Sequence, residues 1–442
     1  VEDEADLRKL PILTNAIKLN NSFPMTEVQK AYLLGRSTTF EIGGVSNHIY
    51  YEFKYETKID ISKLEHIINL LIRNYPELRT VFDTNTLTQK YLMSSNVGTY
   101  KVKCDEYTNN YDKGKLQEFT DKMSHFVYQP NEYPLFSFHI SRFKDCDILH
   151  FSIDLILLDV ESRQKFLSDI TRLYSSNELK LKNPELNFKD YQDYVSLLKY
   201  SKWYKRDKAY WVKKIENLPL RPILPLKLDS ISISKPRFGK SEIIISKEVW
   251  NKFKSKANNH GVSVSSALLS IYGYVLSRYA NTSSFLITLT VFNRYSIHPH
   301  VNDIWGDFTT TNLFGYKRTP GSILDNLLLT HQSLWEDLDH GMYSGIEVQR
   351  CLQNLQGLDP NQAVSPIVFT GIVGGDKTTE SSDNNRRYFL NSSEDISSRI
   401  WIGQTSQAWI DLQAVESKNQ FHSTWLYVEQ LFDQGFIEDL NN

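Results

Sequence analysis

The chain has 442 residues, 13% of them aromatic, so it is long enough for roughly two to three domains with sizeable cores. Its 52 acidic and 50 basic residues give a formal net charge of -2, which argues against nucleic acid or a membrane as a partner. Three cysteines far apart in the sequence predict no disulfide framework and favour a reducing, cytoplasmic location.

Motifs typical of several other functions are missing from the sequence. There is no HExxH or Cys/His cluster for a metal, no phosphate loop for a nucleotide and no GxSxG for a serine hydrolase. No apolar run reaches the length of a membrane span. We therefore expect no metal site, no secretory leader and no membrane segment.

The first predicted element is a short helix. Residues 1–20 are predicted to form a polar leader without a clear core face. In residues 23–36, Thr26 and Gln29 have the spacing of a capping box, and Gly35 is suited to end the helix.

Alternating helices and strands follow, which predicts an α/β first half. An apolar stripe predicts a helix over 61–72, and strands are predicted over 78–82, 135–142 and 147–154.

Two carboxylates lie where the last of these strands meets a helix. Residues 149–154 alternate between apolar and polar side chains, and Asp154 ends the strand. Asp159 follows, just before an amphipathic helix that includes Ser162. One interpretation is structural, with Asp159 or Ser162 as the helix cap and Asp154 as a partly exposed strand residue.

The second half predicts another α/β unit after a polar crossing that extends to about residue 190. Prolines in residues 218–226 predict an extended strap. The polar residues from Gly374 to Ser398 predict a solvated, mobile loop. Strands are predicted at 241–246, 285–292 and 422–427, and helices from Trp250 to Asn258, from Ser263, and from Val428 to Leu440.

A further predicted strand places an acid beside an indole. One face contains Ala408, Ile410 and Leu412, and the other contains Gln407, Trp409, Asp411 and Gln413. The second face is therefore predicted to hold a partly desolvated carboxylate at Asp411.

These stretches resemble the motifs of heterocyclization domains of nonribosomal peptide synthetases, within the condensation-domain superfamily. Residues 23–36 are similar to FP-L/M-T-xx-Q-x-AY-xx-GR, and Asp154, Asp159 and Ser162 fill DxxxxDxxS. The second histidine of the condensation pattern HHxxxDG falls on Leu155. Similarities continue in the family's order at 218–226 (LPxxPxLPL), 306–313 ((G/A)DFTxLxLL), 365–371 (PVVFTS) and 404–411 ((S/T)QTPQVxLD). Thr311, Gly371 and Ser406 depart from these patterns.

The resemblance implies an α/β fold of two chloramphenicol-acetyltransferase-like lobes, arranged as a V with a central tunnel. On this basis we expect a leader at 1–20, an N-terminal lobe at 21–180 and a C-terminal lobe at 181–442.

The resemblance also implies a reaction. A carrier-bound acyl or peptidyl thioester is condensed with carrier-bound Cys, Ser or Thr, and the amide is cyclodehydrated to a thiazoline or oxazoline. The domain itself needs no cofactor, because phosphopantetheine on the carrier domains holds both substrates. The implied partners are upstream and downstream peptidyl or aryl carrier domains and a neighbouring adenylation domain.

Four residues receive catalytic roles from the matching motifs. Asp411 is the expected general acid/base of ring formation, and Thr370 is expected to hydrogen-bond to it or to the leaving oxygen. Asn293 and Gln407 are candidates to orient the amide. Ordinary structural roles are the alternative for Thr370, Asn293 and Asp411.

The DxxxxDxxS residues receive positioning roles, because Leu155 leaves no imidazole beside them. We expect Asp154 to position the attacking amine and Asp159 to pair with Arg36 or Arg294. The remaining alternatives are a condensation enzyme that stops at the amide and a catalytically silent module that docks carrier domains.

Overall fold

The computed structural model describes residues 21–107, 113–176, 181, 186–373, 401–417 and 419–442. The predicted leader at 1–20 and the predicted loop from Gly374 to Ser398 lie outside these ranges, as does much of the predicted crossing between the lobes.

Fourteen strands and eleven helices are found in the described residues. The strands are β1 (Phe23–Pro24), β2 (His48–Tyr55), β3 (Thr80–Asp83), β4 (Thr88–Tyr91), β5 (Lys103–Glu106), β6 (Phe136–Arg142), β7 (Asp147–Asp154), β8 (Phe238–Ile245), β9 (Ser284–Phe292), β10 (Thr309–Lys317), β11 (Ile367–Ile372), β12 (Trp401–Gln404), β13 (Ile410–Ser417) and β14 (Gln420–Val428). The helices are α1 (Glu27–Leu34), α2 (Ile61–Asn74), α3 (Lys113–Ser124), α4 (Val160–Ser175), α5 (Phe188–Leu198), α6 (Lys202–Ile215), α7 (Lys247–Asn259), α8 (Val264–Tyr279), α9 (Ile323–Asp339), α10 (Gly345–Gln356) and α11 (Gln434–Asn441).

The first large sheet has five strands in the order β12-β2-β7-β6-β5. Only the β5–β6 pair is parallel among these neighbours. Alternate residues of β7, including Phe151 and Ile153, pack with α2 and α4 in one continuous core. The opposite face is polar yet buried, because α3 covers it and Thr120 on α3 donates a hydrogen bond to Glu52.

The second large sheet has six strands in the order β10-β9-β11-β13-β14-β8. Strand β11 lies parallel to both β9 and β13, and the remaining pairs are antiparallel. Helices α7, α8 and α11 pack on one face through Trp250, Tyr272 and Ile437. On the other face, α6 and α10 cover β9 and β10.

A small antiparallel sheet, β1-β4-β3, completes the described strands. Phe23 on β1 and Tyr91 on β4 pack against Phe188 and Tyr191 of α5. This cluster also includes Phe308, which directly precedes β10. The small sheet therefore connects the beginning of the chain with the start of β10.

Strand β12 crosses from the second half of the chain to the first sheet. It pairs antiparallel with β2, and Gln404 lies opposite His48. The predicted lobe boundary at residue 180 stays a prediction, and the first sheet includes a strand from beyond it.

Three predicted elements differ from the structure. The predicted strand at 78–82 begins instead as a 3₁₀ turn, Pro76–Arg79, because proline is suited to the first position of a helical turn. The closing helix starts only at Gln434, since β14 extends to Val428. The strand of Asp411 begins at Ile410, and Gln407 precedes it with a left-handed φ of 60°.

The end of α1 packs directly on the segment before β13. A Cβ atom added to Gly35 would overlap Cβ and Oγ of Ser406. We expect Gly35→Ala to destabilise the fold by about 1–3 kcal/mol through overpacking, measured by urea unfolding. Gly35→Ala combined with Ser406→Gly should recover most of the loss. A single variant as stable as wild type would contradict this packing.

Candidate active site

The predicted catalytic pair lies on two neighbouring parallel strands of the six-stranded sheet. Thr370 on β11 is opposite Gln413 on β13, and Asp411 is two residues earlier on the same face. Thr370 Oγ1 lies 3.4 Å from Asp411 Oδ1 and 3.0 Å from Thr290 Oγ1. The structure therefore brings Thr370 and Asp411 together and adds Thr290 to the group.

The two oxygens of Asp411 have unequal environments. Oδ2 accepts hydrogen bonds from Gln413 Nε2 at 2.8 Å and from Thr405 Oγ1 at 3.3 Å. Oδ1 has the longer contact with Thr370. Two donors fix Oδ2, so Oδ1 is the oxygen better placed to exchange a proton.

Burial raises the pKa of Asp411 from 3.8 to about 6, although hydrogen bonds from Gln413, Thr405 and Thr370 act in the opposite direction. Only 5% of the Asp411 surface is exposed. A carboxyl with this pKa is present in both protonation states near neutrality, as a general acid/base requires.

Asp154 forms a buried ion pair at the end of β7. Its Oδ2 lies 2.6 Å from Arg36 Nη2, and the Asp154 side chain is fully buried. The other oxygen accepts the backbone N–H of Ile156 at 3.1 Å. Asp154 is therefore not the partly exposed strand residue that the structural interpretation allowed.

Asp159 has both a capping and a pairing role. It is the N-cap of α4 and accepts the Ser162 backbone N–H at 2.7 Å. Arg294 Nη2 lies 3.3 Å from Asp159 Oδ2 and 3.0 Å from Ser162 Oγ. Ser162 Oγ also accepts the Gly306 N–H at 3.1 Å. Asp159 and Ser162 therefore attach to the second half of the chain through Arg294 and Gly306.

Tyr32 on α1 and Asp307 before β10 interact electrostatically with these groups. Burial raises the pKa of Tyr32 well above its usual value, and the charges of Asp307, Asp411 and Asp154 raise it further. Burial also raises the pKa of Asp307 well above its usual range, with a further increase from Asp159 and Asp154. The four aspartates and Tyr32 therefore share one electrostatic neighbourhood built from both halves.

Asn293 and Gln407 make their described hydrogen bonds away from Asp411. The Asn293 backbone bonds to Phe308 and to the Tyr191 hydroxyl. The Gln407 N–H bonds to Ile42 O. Because Gln407 lies in a turn, strand alternation does not assign it to the Asp411 face, and its catalytic role stays a prediction, as does that of Asn293.

Several site residues were not predicted as functional from the sequence. Strand alternation already placed Gln413 on the Asp411 face, so its contact was accessible from the pattern. Tyr32 and Asp307 lie within the motif stretches at 23–36 and 306–313, which were a signal for them, whereas Thr290 is brought in by a contact between distant segments.

Across the described part of the chain, no group of three or more His, Cys, Asp and Glu side chains is arranged to hold a metal ion. None of the helices described above is long and apolar enough to cross a membrane.

The chain is similar to nonribosomal peptide synthetases over nearly its whole length. Bacitracin synthase 1 of Bacillus licheniformis is 31% identical over 430 residues, which are 96% of this chain and 8% of that protein. Pyochelin synthetase PchF of Pseudomonas aeruginosa is 27% identical over 418 residues, covering 94% of this chain and 22% of that protein. The chain thus spans less than a quarter of either relative.

A solved structure and a family model cover nearly the whole chain. The EpoB NRPS cyclization-docking bidomain from Sorangium cellulosum matches 99% of this chain and 86% of its own, with a TM-score of 0.86 and 25% identity. This likeness confirms the predicted α/β fold of two chloramphenicol-acetyltransferase-like lobes. The Condensation domain model matches residues 21–442. The chain therefore belongs to the Condensation domain family.

Proposed function

We propose that this chain is a heterocyclization domain, which forms an amide between two carrier-bound substrates and then closes a five-membered ring. The observation that supports this most directly is the buried Asp411–Thr370 pair, with an acid whose pKa is about 6. Leu155 stands where condensation domains have an imidazole, so a different proton-transfer group is needed.

The first stage joins a donor thioester to the amine of Cys, Ser or Thr. The nitrogen attacks the thioester carbonyl, the C–S bond breaks, and the carrier thiol leaves with a proton. Holding both tethered substrates together supplies proximity without a cofactor in the domain. Asp154, fixed by Arg36 at 2.6 Å, is the proposed group that positions the amine.

The second stage closes the ring and releases water. The side-chain thiol or hydroxyl attacks the new amide carbonyl and forms a C–S or C–O bond. Its proton passes to the former carbonyl oxygen, which gives a tetrahedral adduct with a hydroxyl group. Asp411 then donates a proton to the adduct oxygen, the C–O bond breaks, and water leaves. Nitrogen gives up its proton as the C=N bond forms, which restores the protonated Asp411. The proposed role of Thr370, whose Oγ1 lies 3.4 Å from Asp411 Oδ1, is to hydrogen-bond the leaving oxygen.

The ring-forming rate is expected to depend on pH through Asp411. Because water release needs the protonated acid and the pKa is about 6, the rate should fall by about tenfold per pH unit well above 6. Single-turnover assays in which the amide forms rapidly would measure this alkaline limb of the pH–rate profile of ring formation. A ring-forming rate that is flat between about pH 5 and 8 would contradict Asp411 as the acid.

The proposed function is tested with two loaded carrier proteins and mass spectrometry of the released product. A product lighter than the linear amide by one water supports heterocyclization. Accumulation of the linear amide alone would identify a condensation domain, and absence of both products would favour a carrier-docking module.

A further inference from the structure

A loop from the first half of the chain runs along the segment that precedes the catalytic aspartate. The loop is residues 41–47, between α1 and β2, and the segment is residues 405–409, immediately before β13. Glu41, Ile42 and Asn47 of the loop each accept a hydrogen bond from this segment. The segment matters because Thr405 donates a hydrogen bond to Asp411 Oδ2 at 3.3 Å.

The contact between Ile42 and Gln407 joins two residues that both have an unfavourable backbone conformation. Ile42 has φ 51° and Gln407 has φ 60°, a left-handed region that side chains other than glycine rarely adopt, least of all β-branched ones. The Gln407 N–H donates to Ile42 O at 3.2 Å, and Ile42 is fully buried in the core of the second sheet. Such strain persists where the surrounding contacts enforce it, and it is concentrated at functional sites.

Glu41 anchors one end of the contact. Its side chain is fully buried and pairs with Arg221 Nη1 at 2.7 Å. The Ala363 N–H also donates to Glu41 at 2.9 Å, and Trp409 Nε1 donates to its other oxygen at 2.9 Å. The Arg221 guanidinium lies 5.1 Å from the centre of the Trp409 ring. The indole two residues before Asp411 is thereby fixed by an acid from the first half of the chain.

Asn47 anchors the other end. Its Oδ1 accepts the Ser406 N–H at 2.9 Å, and its side chain also hydrogen-bonds Tyr32. Its backbone carbonyl accepts the Leu155 N–H at 2.8 Å. A single buried residue thus connects the strand end of Asp154 with the segment before Asp411.

We infer that residues 41–47 position the Thr405–Asp411 pair for ring closure, with Glu41 and Asn47 as positioning residues that act through Trp409 and Ser406. This inference rests on the proposed function. It implies that the first half of the chain sets the geometry of the second-stage acid while leaving the first-stage contact of Asp154 intact.

The test uses Trp409→Phe, which removes the hydrogen bond to Glu41, and Asn47→Ala, which removes the side-chain hydrogen bonds to Ser406 and Tyr32. Since a displacement of about 1 Å at a catalytic group costs roughly 10²-fold, ring formation should fall by about 10- to 100-fold while the amide forms at nearly the wild-type rate. Losing the Thr405 bond also removes an interaction that lowers the pKa of Asp411. The alkaline limb of ring formation should therefore move to higher pH. Glu41→Gln retains an acceptor for Trp409 and should lose less than Glu41→Ala.

Asp147→Asn is the matched control, because Asp147 is a fully buried carboxylate paired with Arg142 at 2.8 Å, at the end of β7 opposite to Asp154. It should lower stability without changing the ring-to-amide ratio or the pH limb. Wild-type ratios in Trp409→Phe and Asn47→Ala would overturn the inference and leave the proposed function standing. A wild-type chain that never cyclises would overturn both.

Discussion

Replacing Asp411 by asparagine is expected to lower ring formation by about 10²–10⁴-fold, the usual contribution of a positioned general acid/base, while the linear amide still forms. Asparagine keeps the size of the side chain and an acceptor for Gln413, which lies 2.8 Å from Asp411 Oδ2. It has no proton to exchange at the position facing Thr370. Quantifying amide and ring by mass spectrometry over time would measure the two stages separately.

The same substitution should not weaken the fold. A carboxyl whose pKa rises on folding stabilises the native state fully below its unfolded pKa, and that contribution is lost as the pH rises through the folded value. For Asp411, the rise of the pKa from 3.8 to about 6 corresponds to about 3 kcal/mol. Ionised Asp411 therefore destabilises the native state by up to that amount above pH 6. Asp411→Asn should therefore be at least as stable as wild type in urea at pH 8. Retained stability with lost cyclisation would separate catalysis from folding.

Asp337→Asn provides a matched control for this substitution. Asp337 is also a fully buried carboxyl whose pKa is raised by burial, and it pairs with Lys214 away from the Asp411 site. It should leave the ratio of ring to amide unchanged. Cyclisation by Asp411→Asn at the wild-type rate would exclude Asp411 as the acid/base.

The sequence predicted the Asp411 face as far as the regular strand extends. Alternation correctly placed Gln413 beside Asp411, since both lie within β13. It failed at Gln407, where a left-handed residue breaks the two-residue period. Strand periodicity describes extended backbone only, and Gln407 is held in its turn by a distant loop.

The arginine partners of the two aspartates were also predicted only in part, because they depend on contacts between distant segments. A charged motif predicted that an arginine would neutralise Asp159, with Arg36 and Arg294 as candidates. The structure pairs Arg294 with Asp159 and Arg36 with Asp154. The Arg294–Asp159 pair depends on how the two halves meet, as does the addition of β12 to the first sheet, and the Arg36–Asp154 pair joins two distant segments of the first half. No spacing along the chain encodes these contacts.

The second large effect is expected at the Arg36–Asp154 pair. Arg36→Met leaves the fully buried Asp154 carboxylate without its cation, which typically costs about 3–5 kcal/mol. The variant should therefore unfold at lower urea concentration. It should also form less amide and, in consequence, less ring, unlike Asp411→Asn.

Adding Asp154→Leu to Arg36→Met separates stability from function. Replacing both members of a buried ion pair by apolar side chains is often neutral or stabilising, so the double variant should regain most of the lost stability. The Ile156 N–H would lose the Asp154 acceptor at 3.1 Å, and Ser46 Oγ would lose the Arg36 donor at 3.1 Å, which limits the recovery. If Asp154 positions the amine, the double variant should still form the amide slowly although its stability has been regained. Wild-type amide formation in that variant would show that the pair serves the fold alone, because stability would then have returned together with activity.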